Sequence, residues 1–372
     1  MEHAQDTLET YDDDLGWMRP RLHGVFRIHD ITAGAMKGMA TRLRGEFLIP
    51  AEEAYDRLAP AFRAHRRTLL LRREGEDDLI YSVRWVNEPT PNNRWLPSLL
   101  AVLTVISILA TYTVMYGMTE LTWQSAVGSL GLAAQFTAAL VAILLAHELG
   151  HYFTARRFGV AVSLPYLIPF PLSPFGTMGA VIRMKDIPPS KKAMLWTGAA
   201  GPLAGLIVAL PILIAGLALS NVEPLPQSGT YLMEGNSLLY MGLKYLIHGE
   251  WLPSATHDVF MHPLAFAGWA GLLVTSFNLI PAGQLDGGHI AYAWLGARSR
   301  YLTWGILAVL LGLGLLWPGW LLWAVLVFIF ARTQQEPLNT ITPLGSREIA
   351  VAICLLVVFV LTFTPFPLQL VG

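Results

Sequence analysis

Cysteine is nearly absent: Cys354 is the one thiol in 372 residues. That excludes an internal disulfide and a thiolate-rich metal site, and leaves a residue expected to pack within an apolar segment. Charge is scarce as well. Only 14% of residues are Asp, Glu, Lys or Arg against 54% hydrophobic, and mean hydropathy is +0.48. Soluble globular chains carry about 25% charged residues, so this composition reads as a polytopic membrane protein in a lipid bilayer. The formal net charge is −1, and the basic residues form no stripe with interleaved aromatics, which excludes nucleic acid as a partner. The opening residues MEHAQDTLETYDDD lack the basic start and apolar core of a signal peptide. The N-terminus is therefore expected to be cytoplasmic, and without a transit peptide a prokaryotic plasma membrane is favoured over an organelle.

The few charges are unevenly placed. Residues 1–95 contain 14 of the 25 basic and 16 of the 26 acidic residues, so a domain boundary is expected near Arg94. The region before it reads as a small α+β soluble domain: extended stretches at Gly24–Ile31 and Arg44–Ile49, a helix over Glu52–His65 interrupted by Pro60, and a hairpin from TLLLRR and LIYSVRWV. From Trp95 onward, apolar runs recur, each long enough or nearly so to span about 30 Å of hydrocarbon. They lie at Leu96–Met118, Ser129–Ala155, Ala193–Leu219, Pro263–Leu295 with a break, Tyr301–Trp317, Trp320–Ala331 and Ile349–Phe363. The fold class expected is thus an α-helical membrane protein of about seven spans behind an α+β domain. Its division is 1–95 soluble, 96–297 core and 298–372 C-terminal helices. Trp95, Trp317, Trp320 and Trp323 suit an interfacial belt. Arg156, Arg157, Arg183, Lys185, Lys191 and Lys192 crowd one connection, whereas Ser220–His262 has Lys244 alone against four acidic residues. By the positive-inside rule the first is cytoplasmic and the second outside.

One stretch organises the rest. HELGH at His147–His151 lies in a run from Leu121 to Ala155 whose only formally charged side chain is Glu148. On a helix, residues four apart share a face, so His147 and His151 can bind one metal while Glu148 reaches a water beside it. Ionisable groups in hydrocarbon cost several kcal/mol, about 2.5–3.5 on insertion scales, which demands a compensating role such as a divalent cation. Asp286 is the second informative residue. It sits in SFNLIPAGQLDGGHI, where Pro281, Gly283, Gly287 and Gly288 break a helix at apolar depth, as happens where backbone lines a site. A catalytic zinc takes three protein ligands and keeps a position for water. Asp286 supplies the third ligand, His289 is its rival, and a helix-capping aspartate is the bland alternative.

AHELGHYF in one span and NLIPAGQLDGG in a later one resemble the two signatures of the site-2 protease family of intramembrane zinc metalloproteases. The chain departs from the second at Leu279, where the family typically has proline. RLRGEF and AEEAYDRL are similar to the soluble region of the family's chloroplast and cyanobacterial branch. The resemblance implies one catalytic Zn2+ on His147, His151 and Asp286, with Glu148 as general base and acid. It further implies hydrolysis of a peptide bond in or near the span of a single-span membrane protein. Asn278 is a candidate for an added hydrogen bond to the substrate backbone, or for tying down the turn before Pro281. The proline-rich stretch between these motifs cannot be a regular spanning helix. It reads as a hairpin in which Gly176–Met184, chiefly Gly176, Thr177, Met178, Gly179 and Ala180, offers a strand edge to an unwound substrate. A second class remains open: a catalytically silent or metal-transporting membrane protein that binds zinc and transmembrane partners.

Overall fold

The structure is a computed structural model that describes residues 15–33, 39–84, 94–117, 122–226, 229, 231–331 and 336–371. Residues 1–14, on which the signal-peptide reading rests, lie outside that set. Two compact units are present. One comprises Met1–Thr90 with Lys185–Met194 and Gln335–Gly345; the other comprises Pro91–Met184, Leu195–Gln334 and Ser346–Gly372.

The first unit is α+β. Helix α1 (15–22) precedes strands β1 (Phe26–Ala33) and β2 (Met39–Phe47), helix α2 (Ala51–Ala64), then β3 (Thr68–Glu74) and β4 (Asp77–Val83). The strands form an antiparallel sheet in the order β1-β2-β4-β3. Gly75, at φ +61°, opens the two-residue turn between β3 and β4, the position where a type II′ hairpin requires positive φ. Helix α2 buries Ala54, Tyr55, Leu58 and Phe62 along one stripe and leaves Pro60 on the exposed side, away from the core. These side chains meet Met18 and Leu22 of α1 and Leu43, Leu71 and Ile80 of the sheet.

The free edge of β3 is covered by chain from far along the sequence. Leu71 N–H donates to Leu338 O at 2.9 Å and Thr340 N–H donates to Leu71 O at 3.1 Å, which removes the unpaired edge that invites aggregation. Residues 338–339 in turn donate to the carbonyls of Pro188 and Pro189. Asn339 closes the arrangement. It is 1% exposed, accepts from the backbone N–H of Ile341 (3.0 Å) and Thr342 (3.2 Å), and donates to Thr342 Oγ1 at 2.8 Å.

The second unit is mostly helical. It contains α3 (Trp95–Tyr112), which runs into a π-helical turn at Thr113–Gly117, α4 (Trp123–Arg157), the hairpin β5 (Tyr166–Pro169) and β6 (Thr177–Val181), and α5 (Lys191–Ala218), whose first residues belong to the first unit. There follow β7 (Asn221–Pro224), β8 (Tyr231–Glu234), α6 (Leu238–His248), β9 (His257–Phe260), α7 (Pro263–Asn278), α8 (Asp286–Leu295), α9 (Ser299–Leu313), α10 (Gly319–Ala331), α11 (Ser346–Thr362) and β10 (Leu368–Val371). Strand pairs β7–β9 and β8–β10 are both antiparallel.

Three helices, Trp95–Tyr116, Trp123–Arg157 and Lys191–Ala218, are long and apolar enough to cross a membrane. The other expected spans are helical but shorter, α7 having 16 residues, α9 15, α10 13 and α11 17. Exposed apolar side chains run along the outer helices, among them Ile106, Trp304, Leu322, Val325 and Val360. That is the surface a helical protein presents to lipid. Two details differ from the sequence reading. Cys354 lies on the exposed side of α11. Trp320, assigned to an interfacial belt, is fully buried because its indole N–H donates to Pro365 O at 2.8 Å and its ring stacks on Phe363.

Replacing Asn339 by Ala strips four hydrogen-bonding positions from a buried turn. We expect a loss of roughly 1–3 kcal/mol, read in the full chain as faster amide hydrogen exchange over Thr68–Glu74. Unchanged exchange there would show that the strap does not stabilise the sheet edge.

Candidate metal centre

Helix α4 presents His147 and His151 on one face, 4% and 6% exposed. Helix α7 ends at Asn278 and a short turn leads to Asp286, the first residue of α8. The break is built locally. Pro281 cannot continue a helix, and Gly283 takes φ +59°. A Cβ on Gly287 would overlap Leu279 O, and one on Gly288 would overlap Gly283 O, so the glycine pair lets α8 start hard against the end of α7. Leu279, at the position where the resembled signature has proline, is buried and closes the helix.

This geometry brings three ligand-type groups to one point. Asp286 Oδ2 lies 3.2 Å from His147 Nε2 and 3.2 Å from His151 Nε2, and the two imidazole nitrogens are 3.1 Å apart. One ligand atom from each of the three residues falls within 4.8 Å of the others. Two imidazoles and a carboxylate converging in this way are a donor set that suits zinc. The N-cap of α8 is Leu285, so Asp286 does not cap its own helix.

The neighbours of these residues orient them. His151 Nδ1 is 2.7 Å from Thr197 O; only a donating Nδ1–H fits that carbonyl, which leaves Nε2 free toward the centre. Asn278 Nδ2 lies 3.3 Å from His147 Nε2. Helix α5 forms the remaining wall with glycines. A Cβ on Gly201 would overlap the His151 ring, and one on Gly205 would come within 3.3 Å of His147 Nδ1. Thr197, Gly201 and Gly205 escaped the sequence reading. The signal was present in GAAGPLAGL, whose small residues mark a close-packing face, but nothing in the sequence says what packs there.

Glu148 is 5% exposed and lies close to the backbone of Ile182, just past β6. Strand β6 pairs with β5 on one side, and no other described strand lies on its second edge. The predicted substrate-contacting residues divide there. Gly176, at φ +71°, gives its carbonyl to Ser107 Oγ at 2.6 Å, and Thr177 bonds Ile168 O and Gly179 within the hairpin, so both serve the loop itself. Met178 is exposed, Gly179 has open space beside it, and Ala180 is half-buried. Helix α3 fixes the preceding loop through Thr111 to Pro171 O and Tyr116 to Pro174 O. His289 is not among the three convergent residues, and its Nδ1 is buried without a hydrogen-bond partner among the described residues.

A HExxH helix joined by a carboxylate from a second, broken apolar helix forms a candidate centre for one metal ion. Residues 135–315, just under half of the chain, match the model of Peptidase family M50, and the similarity extends to chloroplast zinc metalloproteases. The chain is 36% identical over 234 residues to probable zinc metalloprotease EGY1, chloroplastic, of Arabidopsis thaliana, covering 61% of this chain and 42% of the relative. It is 32% identical over 244 residues to probable zinc metalloprotease EGY2, chloroplastic, of the same plant, covering 65% and 43%. To probable zinc metalloprotease EGY3, chloroplastic, of Oryza sativa subsp. indica it is 28% identical over 252 residues, covering 61% and 41%. The chain thus spans about two-fifths of the length of these curated relatives. No solved structure matches it.

Because Gly201 faces the His151 ring, Gly201→Ala should displace that imidazole and lower zinc affinity by about 10–100-fold, measured as metal retained against a graded chelator. Gly205→Ala, whose Cβ has room to within 3.3 Å, should retain most of its zinc. Equal retention by Gly201→Ala and the native chain would show that α5 does not set the ligand geometry.

Proposed function

We propose that this chain is an intramembrane zinc endopeptidase that hydrolyses a peptide bond in or near the membrane span of a single-span membrane protein. The convergence of His147, His151 and Asp286 beside Glu148 carries the reading. The relatives' names support it: each is described as a probable zinc metalloprotease. In this reading His147, His151 and Asp286 are the metal ligands and Glu148 is the catalytic residue.

Zinc at such a site lowers the pKa of a water to about 7 and polarises the substrate carbonyl. Glu148 takes a proton from the attacking water as the oxygen bonds to the carbonyl carbon, and returns it to the amine nitrogen as the C–N bond breaks. That carboxylate lies close to the Ile182 backbone, beside the strand. Asn278 donates to the substrate backbone next to the metal. An unwound substrate pairs along the open edge of β6 at Met178–Ala180, which keeps its peptide bond extended and accessible.

The full set of about seven spans, with α7 and α8 as halves of one interrupted crossing, belongs to the same proposal. So do a three-part division at residues 95 and 297 and a cytoplasmic N-terminal unit. The basic residues Arg156, Arg157, Arg183, Lys185, Lys191 and Lys192 support that orientation by the positive-inside rule. The relatives' names place those proteins in chloroplasts.

Cleavage of a labelled single-span substrate in detergent, with zinc content measured in parallel, tests the reading. The native chain should cut, and Glu148→Gln should bind zinc normally while losing about 10²–10⁴-fold or more in rate. Zinc in both and cutting by neither would favour a silent metal-binding protein. The role of β6 is tested separately with Ala180→Pro, which should keep zinc and lose cleavage. Gly179 is the poorer site for that test, since its φ of +106° is closed to proline and the hairpin itself would change. Full activity in Ala180→Pro would exclude strand pairing.

A further inference from the structure

The segment between α5 and α7 folds into a cap whose interior is charged. Lys244 of α6 is fully buried and donates to Glu234 Oε1 of β8 at 3.1 Å and to Asp258 Oδ1 of β9 at 2.9 Å. Tyr240 also donates to Glu234 Oε1, at 3.0 Å, and its ring lies 4.6 Å from the Lys244 ammonium. One ammonium therefore faces two carboxyl groups, so acidic side chains outnumber basic ones in the cluster. Glu234 and Asp258 are 7% and 4% exposed. Burial raises the Glu234 carboxyl; Lys244 opposes that rise and Asp258 adds to it. Asp258 Oδ2 has no donor among the described residues, its partner oxygen taking both Lys244 and the Val259 N–H.

Both carboxylates line a cavity of about 410 Å³. Its lining also includes Tyr112, Met115 and Tyr116 at the π-helical end of α3, with Phe266 of α7. Tyr116 meets Tyr112 at 5.6 Å and Phe266 at 5.1 Å. A buried excess of acidic groups beside aromatic rings is the setting that attracts an ammonium or guanidinium group, through charge pairing and the ring quadrupole. A purely structural triad would close over its own charges. This one has both of its acidic residues in the lining of an open cavity.

We infer that this cavity binds a lysine or arginine side chain in the outer flank of the substrate's membrane span. The inference rests on the proposed peptidase function and adds a specificity determinant to it. Phe136 of α4 packs against Tyr112 and Phe266, and eleven residues further along the same helix lies His147. At 1.5 Å per residue that is about 16 Å. A basic residue anchored in the cap thus sets the scissile bond about 16 Å deeper along α4, ten or so residues away if the intervening span is helical.

The test uses the full chain in nanodiscs of phosphatidylglycerol, which carries no headgroup amine, and fluorescent single-span peptides that differ only in Lys, Gln or Glu at the outer flank. Binding is read with Glu148→Gln, so that it does not depend on turnover. The Lys peptide should bind about tenfold tighter than the Gln peptide, an energy within the range for a desolvated cation on aromatic rings, and the Glu peptide more weakly than either. Asp258→Asn should bring the Lys/Gln ratio close to one. Tyr116→Leu, at the cavity wall and outside the buried triad, should reduce the ratio as well, so a failure of Asp258→Asn to fold leaves the test intact. Equal binding of Lys and Gln peptides by the chain overturns the inference, as does a preference unchanged in Tyr116→Leu. Cleavage by the native chain separates the two readings. Preference without cutting overturns the peptidase reading alone, and cutting that is indifferent to flank charge, in KM and kcat alike, overturns the cation site alone.

Discussion

Two imidazoles and two carboxylates lie within an apolar helical core, and each must be compensated where water is excluded. The compensation is geometric. Asp286 stands between His147 and His151, the Thr197 carbonyl takes the outer nitrogen of His151, and the backbone at Ile182 reaches Glu148. Each of these contacts requires a piece of chain to approach more closely than ordinary side chains allow. Hence the glycines: Gly201 and Gly205 bring α5 onto the histidine rings, and Gly287 and Gly288 let α8 begin against the end of α7. The centre and the helix packing around it are one constraint.

The irregular backbone of the second unit lies where that constraint and the handling of a peptide meet. Four prolines and the left-handed Gly176 keep residues 165–176 out of helix, and hydroxyls on α3 satisfy the carbonyls thereby freed. In hydrocarbon an unpaired carbonyl costs several kcal/mol, so such a loop persists only when a neighbouring helix supplies donors. The cap uses the same device with indoles, Trp269 donating to Gly235 O, Trp317 to Leu368 O and Trp320 to Pro365 O. A tryptophan that reads as an interfacial anchor by position serves instead as an internal donor.

The α+β unit shows how far chain order can mislead. Of its two helices and four strands, α2 and the strands are readable from period and turn chemistry, with α2 at Ala51–Ala64 and the β3–β4 hairpin turning at Gly75 close to where the patterns place them. The segments Lys185–Met194 and Gln335–Gly345 complete the same unit. They have no periodic signature because they pair through backbone groups, with Asn339 as the buried polar clasp. The first of them leads directly into α5, whose Gly201 and Gly205 face the histidine rings, so the α+β unit and that helix share a continuous stretch of chain.

By itself the sequence determined everything that local spacing and composition encode: apolar helices, the α+β pattern, His147, Glu148 and His151 on one helical face, and a break that sets Asp286 at its far side. Those follow from helical periodicity and from the rarity of ionisable groups in hydrocarbon. Only the tertiary structure decided what meets across chain segments. Thr197 orients His151, Gly201 and Gly205 face the rings, Gly176 and Thr177 serve the hairpin, and a single buried lysine faces two carboxylates in the cap. Such contacts depend on how helices distant in sequence cross one another, and crossing is set by packing of whole faces rather than by any pattern within one of them.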